Sequence, residues 1–75
     1  MKILTKDTDY AVRALILLAK EKDNFLSAKN ISETLNIPYH FLRAILQKLI
    51  QAGFVESKEG VSGGVRIVKS PAKIR

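Results

Sequence analysis

The stretch NIPYHFLRAILQKLIQAG, residues 36–53, decides the fold. Stepped at about 100° per residue, it places Phe41, Leu42, Ile45, Leu46, Leu49 and Ala52 on one side of a cylinder. Tyr39, His40, Arg43, Ala44, Gln47 and Gln51 fall opposite. The spacing predicts an amphipathic helix from about Pro38 to Ala52. Pro38 suits the first turn, where a missing N–H goes unnoticed, and Gly53 suits the left-handed stop. The outer face offers a tyrosine, a histidine and an arginine where a merely solvated helix would alternate Glu with Lys. That mixture suits a polar, anionic surface, although for this stretch alone a wet face on a core helix explains it as well.

The residues before it add a helix-turn-helix. Ser27 is placed to cap a helix over Ala28 to Leu35, whose inward residues are Ala28, Ile31 and Leu35. Asn36 adopts the left-handed conformation readily and ends that helix, and Ile37 fills the corner before Pro38. Two helices joined by so short a turn, the second one longer, have the helix-turn-helix arrangement. Further upstream, Glu21 to Asn24 reads as a charged loop, and Phe25-Leu26 as an apolar anchor with one or two residues of strand. The first helix is capped by Thr5 or Asp7, carries Asp7 and Asp9 at the positive end of its dipole, and runs to about Lys20. Ala11, Ala14, Leu15 and Leu18, with Tyr10 and Leu17, form its buried stripe, and Tyr10 and Phe41 are both expected in the core.

After Gly53 the period changes to two. Phe54 to Lys58 and Val65 to Lys69 read as strands, with Val65 and Ile67 inward, around the tip Glu59-Gly60-Val61-Ser62-Gly63-Gly64. Glycines there supply positive φ angles or a close backbone approach, or simply a flexible loop. Ser70-Pro71 ends the second strand. The order is that of a winged helix-turn-helix: mainly α with a small β-hairpin, three helices plus a two-stranded wing.

At 75 residues, with 47% apolar side chains, the chain reads as one domain with a small core. It has no cysteine, so it holds neither a disulfide nor a thiolate metal site nor a thiol nucleophile. The formal net charge is +6, unevenly placed: residues 1–37 contribute +1 and residues 38–75 contribute +5. A basic excess on and after the long helix favours a polyanionic partner. The apolar run Tyr10 to Ala19 is broken by Arg13, lacks a cleavage site and is too short to span a bilayer, so a cytoplasmic protein without a membrane role is expected. Enzyme chemistry is ranked last. The single histidine, His40, and the scattered serines form no nucleophile and base pattern, and GVSGG lacks the lysine of a phosphate loop.

The joint spacing of these pieces resembles the N-terminal domain of the Rrf-two family of bacterial transcription regulators. The residues carrying the resemblance are Leu4-Thr5-Lys6, Asp9 to Leu15, Ile31-Ser32-Glu33, Ile37-Pro38, Phe41-Leu42, Leu46 to Leu49, Ala52 to Val55 and Gly63 to Ile67. It implies a regulator, repressor or activator, that binds double-stranded DNA, with the long helix in the major groove and the wing at the minor groove. Carried over by position, Tyr39, His40 and Arg43 are base-proximal, joined by Gln47. Gly60, Ser62, Gly63 and Gly64 form the wing tip. Ser27 and Lys29 stand at the start of the second helix, where backbone N–H groups meet phosphate. Lys48, on the border of the apolar face, suits phosphate contact or snorkelling. Many members place an arginine before the first wing glycine where this chain has Glu59, which transfers the wing's cationic role to Lys58 or Arg66.

Several members hold an iron-sulfur cluster through cysteines beyond this domain and form homodimers through a later helix. This chain lacks cysteine, so no cofactor is expected in it, and residues 1–75 are expected to be a piece of a longer, homodimeric regulator. The alternative is a winged-helix protein-interaction module without specific DNA binding.

Overall fold

The structure, a computed structural model, describes residues 6–68. The expected cap Thr5, the stretch Met1 to Leu4, Lys69 and the break at Ser70-Pro71 lie outside them. Helix α1 spans Lys6–Lys20, α2 Ala28–Leu35 and α3 Tyr39–Gln51, followed by strands β1 (Val55–Lys58) and β2 (Gly64–Ile67).

Each helix ends where its sequence supplies a stop. In α1 the first turn holds Asp7 and Asp9 and the last holds Lys20, each complementing the dipole. The Ser27 hydroxyl caps α2 by accepting from the Asn30 backbone N–H at 3.0 Å. Asn36 closes it at φ 59°, and the Ile37 N–H reaches back to the Ser32 carbonyl at 3.0 Å. Helix α3 starts one residue after Pro38, which occupies the cap position itself. At its other end Gly53 takes φ 87°. There the Gly53 N–H donates to Ile50 and the Phe54 N–H to Leu49, both at 3.0 Å, the reciprocal pair of a Schellman ending.

The core is one cluster: Ala14 and Leu18 from α1, Ile31 from α2, Ile37 from the turn, Leu42, Ile45, Leu46 and Leu49 from α3, and Val55 and Val65 from the hairpin. Ala14 is fully buried and lets α1 approach its neighbours closely. Among the described residues no polar or charged side chain is buried.

The stripe on α3 is narrower than its sequence suggests. Phe41 is 40% exposed and Ala52 is also exposed. Both lie on the flank of the Leu42, Ile45, Leu46 and Leu49 row, Phe41 about a quarter-turn from its centre, at opposite ends of the helix. Tyr10 is half-buried, its ring meeting Phe41 edge-on at 6.1 Å, so these two aromatics close the rim of the core and do not fill it.

Strands β1 and β2 pair antiparallel with Val55 opposite Ile67, Glu56 opposite Arg66, Ser57 opposite Val65 and Lys58 opposite Gly64. Period-two alternation therefore turns Val55, Ser57, Val65 and Ile67 to the domain, and Glu56, Lys58 and Arg66 away. The anchor before α2 joins as a third, minimal strand. The Leu26 N–H donates to Val65 at 2.9 Å and the Val65 N–H to Leu26 at 2.8 Å.

Candidate nucleic-acid interface

The site is built from the outer face of α3. Turning Leu42, Ile45, Leu46 and Leu49 into the core leaves Tyr39, His40, Arg43, Ala44 and Gln47 exposed around one shallow concavity. Tyr39 keeps 47% of its surface exposed. The Arg43 guanidinium carbon lies 5.8 Å from the centre of the Tyr39 ring, one turn back along the helix. The His40 ring stacks on Phe41 at 5.3 Å.

The cations of the domain are not equivalent. Arg13 pairs with Asp9 at 3.4 Å, and the Lys48 ammonium stands 3.9 Å from Asp7. Arg66 donates to the Glu56 carboxylate at 2.8 Å. Among the described residues, no carboxylate comes within ion-pair distance of Arg43. It is the described arginine left available for an outside acceptor.

A second cleft brings the other elements to the same place. Ala28 at the start of α2, Arg43 and Gln47 on α3, and Ser57 and Gly64 on the hairpin line it together. The start of α2, the outer face of α3 and the base of the hairpin therefore converge. Lys29 is exposed on the first turn of α2, and Ser27 beside it uses its hydroxyl as the cap. The expected Lys48 stands apart, on the flank of α3 that faces α1, in a groove shared with Asp7, Val12 and Phe54.

The wing divides its residues between two tasks. Gly60 (φ 110°), Val61 and Ser62 form the exposed tip, closed by the Gly63 N–H donating to Gly60 at 3.0 Å. Gly63 and Gly64 instead serve the domain. A Cβ on Gly63 would meet the Lys58 carbonyl, and one on Gly64 the Leu26 carbonyl. Arg66 and Lys58 flank Phe25, at 4.4 and 5.3 Å from its ring centre. That clamp ties the outer face of the hairpin to the segment before α2.

Two features were not evident in the sequence, the full exposure of Val61 and the partners of Phe25. Val61, wholly exposed at the tip, is hidden in sequence between glycines that draw attention to themselves. The role of Phe25 depends on cations more than thirty residues downstream, which no local pattern reveals.

Residues 4–75 match the profile of a family described as "Rrf2: Iron-dependent Transcriptional regulator". The chain is 42% identical over 72 residues to the HTH-type transcriptional regulator NsrR of Bacillus subtilis, covering 95% of this chain and 49% of that protein. It is 38% identical to NsrR of Halalkalibacterium halodurans over the same length and coverage. The fold superimposes on CymR (YrzC), the global cysteine regulator of B. subtilis, with a TM-score of 0.86 and 31% identity, covering 99% of this chain and 58% of that one. IscR of T. potens gives 0.82 at 28% identity, covering 99% and 54%. The chain spans about half the length of the curated relatives it matches. The family description mentions iron, but this chain has no cysteine, and among the described residues no three His, Cys, Asp or Glu side chains gather to hold a metal. These 75 residues therefore offer no thiolate ligand to an iron-sulfur cluster. Residue spacing, the winged helix-turn-helix and these relatives agree: the chain is a winged-helix domain of the Rrf2 family of transcriptional regulators.

Proposed function

We propose that this domain binds double-stranded DNA in a sequence-specific manner, α3 lying in the major groove and the Gly60–Ser62 tip at the neighbouring minor groove. The observation that carries the reading is Arg43: an exposed arginine that no described carboxylate pairs with, on a face shared with Tyr39, His40 and Gln47. A helix about 10–12 Å across fits a groove about 12 Å wide. Arg43 is suited to bridge O6 and N7 of guanine, and Gln47 to pair with adenine. Lys29, Lys58 and the backbone N–H groups at the start of α2 are suited to phosphates, which position the domain without choosing a sequence.

The relatives' names support a regulator, in which the domain would sit in a homodimer of the longer protein and read half-sites about one helical turn apart. Selection of bound duplexes from a random library tests this. The expected result is a recovered sequence whose affinity falls steeply with salt and whose guanine preference weakens in Arg43→Ala. A library in which no duplex outcompetes random DNA rejects it and leaves the protein-interaction reading.

A further inference from the structure

We infer that Tyr39 is the positioning residue of Arg43, so that the two side chains act as one specificity-determining unit; this rests on the DNA-binding reading above. The two arginines that lie over aromatic rings differ. Arg66 lies 4.4 Å from the Phe25 ring centre while its Nε donates to Glu56 at 2.8 Å. Both the plane and the edge of that guanidinium are in use. Arg43 lies 5.8 Å from the Tyr39 ring centre, and no described carboxylate meets its edge.

Guanine is read through the N–H donors on the edge of a guanidinium. The Tyr39 ring attracts the Arg43 charge but offers it no carboxylate, so the contact restrains Arg43 while no described carboxylate occupies those donors. An unrestrained arginine loses rotamer freedom on docking, and a ring one helical turn away removes part of that loss beforehand. Tyr39 itself is fixed in register by Pro38, which holds the cap position at φ −55°. A carboxylate at position 39 would restrain Arg43 equally well but would occupy its edge. The aromatic restrains it and leaves it competent.

The test uses the 75-residue chain and the duplex recovered by library selection. Single base-pair variants of that duplex, measured with Arg43→Ala, locate the positions that Arg43 reads. Tyr39→Leu is then expected to reduce discrimination at those positions about two- to fivefold, the range of an exposed cation–π contact. Discrimination elsewhere should hold. Tyr39→Phe, which keeps the ring, should retain the preference, and Tyr39→Leu should add nothing in the Arg43→Ala background. Tyr39 is exposed, and circular dichroism of each variant checks that it folds. A Tyr39→Leu protein that discriminates as the unaltered chain does, or that weakens all duplexes alike with or without Arg43, overturns the inference alone. An unaltered chain that discriminates no duplex overturns the DNA-binding reading and this one with it.

Discussion

Gly64 is where a single methyl group should separate the wing from the body. It sits at the start of β2 with φ 143°, and a Cβ there would run into the carbonyl of Leu26, with the Ser27 nitrogen 2.9 Å away. All of these neighbours are backbone, so no side chain can swing aside. Gly64→Ala must distort its own backbone, at about 1–3 kcal/mol, or push Leu26 away. The second route breaks the paired hydrogen bonds between Leu26 and Val65, of 2.9 and 2.8 Å, at about 0.5–1.5 kcal/mol each. Gly60→Ala is the matched control: its φ is 110°, but its Cβ would meet nothing within 4 Å. The difference between the two variants isolates the collision, about 1–3 kcal/mol by these hydrogen bonds. Against a total stability of roughly 4–11 kcal/mol for a chain of this length, that is a large share. Urea unfolding followed by circular dichroism measures the difference, and amide hydrogen exchange at Leu26 and Val65 locates it. Equal losses in the two variants, with both amides still protected, would refute the reasoning.

Other sites give simpler outcomes. Leu42 is fully buried at the centre of the α3 stripe, and Leu42→Ala should cost about 2–5 kcal/mol in the same unfolding experiment, a large share of the total stability. Ser27→Ala removes the acceptor for the Asn30 N–H and should cost about 1 kcal/mol, largely recovered in Ser27→Asp, as read from thermal midpoints. Phe25→Leu keeps an apolar side chain but removes the ring beneath Arg66 and Lys58. It should cost about 1 kcal/mol and speed exchange at Val65 more than at core amides of α3.

The α2–turn–α3 unit was legible because its signals are local. Ser27 through its hydroxyl, and Asn36, Pro38 and Gly53 through their backbone angles, each start or stop a helix within a few residues, and all four do so here. The outward turn of Tyr39, His40 and Arg43 follows from the same periodicity. What escaped the sequence was decided by partners distant in the chain. Phe41 fits an apolar stripe as well as Leu42 does, and its exposure depends on where Tyr10 of α1 leaves the rim of the core. The wing glycines suggest a surface pressed against something, and for Gly63 and Gly64 that surface is the domain's own backbone. Net charge counts Arg66 and Arg43 alike, whereas Glu56, ten residues before Arg66, neutralises only one of them.

These internal contacts bear on the proposed docking to DNA. Leu26 is bonded to β2 on one side and is followed directly by Ser27, the cap of α2, so the wing and the start of α2 share a continuous stretch of fixed backbone. The Ala28, Arg43, Gln47, Ser57 and Gly64 cleft lies across that junction. A wing held this way does not have to be ordered on binding, which removes part of the entropic cost of docking. Loosening the bridge should therefore weaken duplex binding even while the domain stays folded. Gly64→Ala and Ser27→Ala, compared at a temperature where both are more than about nine-tenths native, separate the two effects: affinity should fall further in Gly64→Ala than its unfolded fraction accounts for. If affinity tracked the folded fraction alone in both variants, the wing would contribute nothing through its fixed position, and only the α3 face would remain as the binding surface.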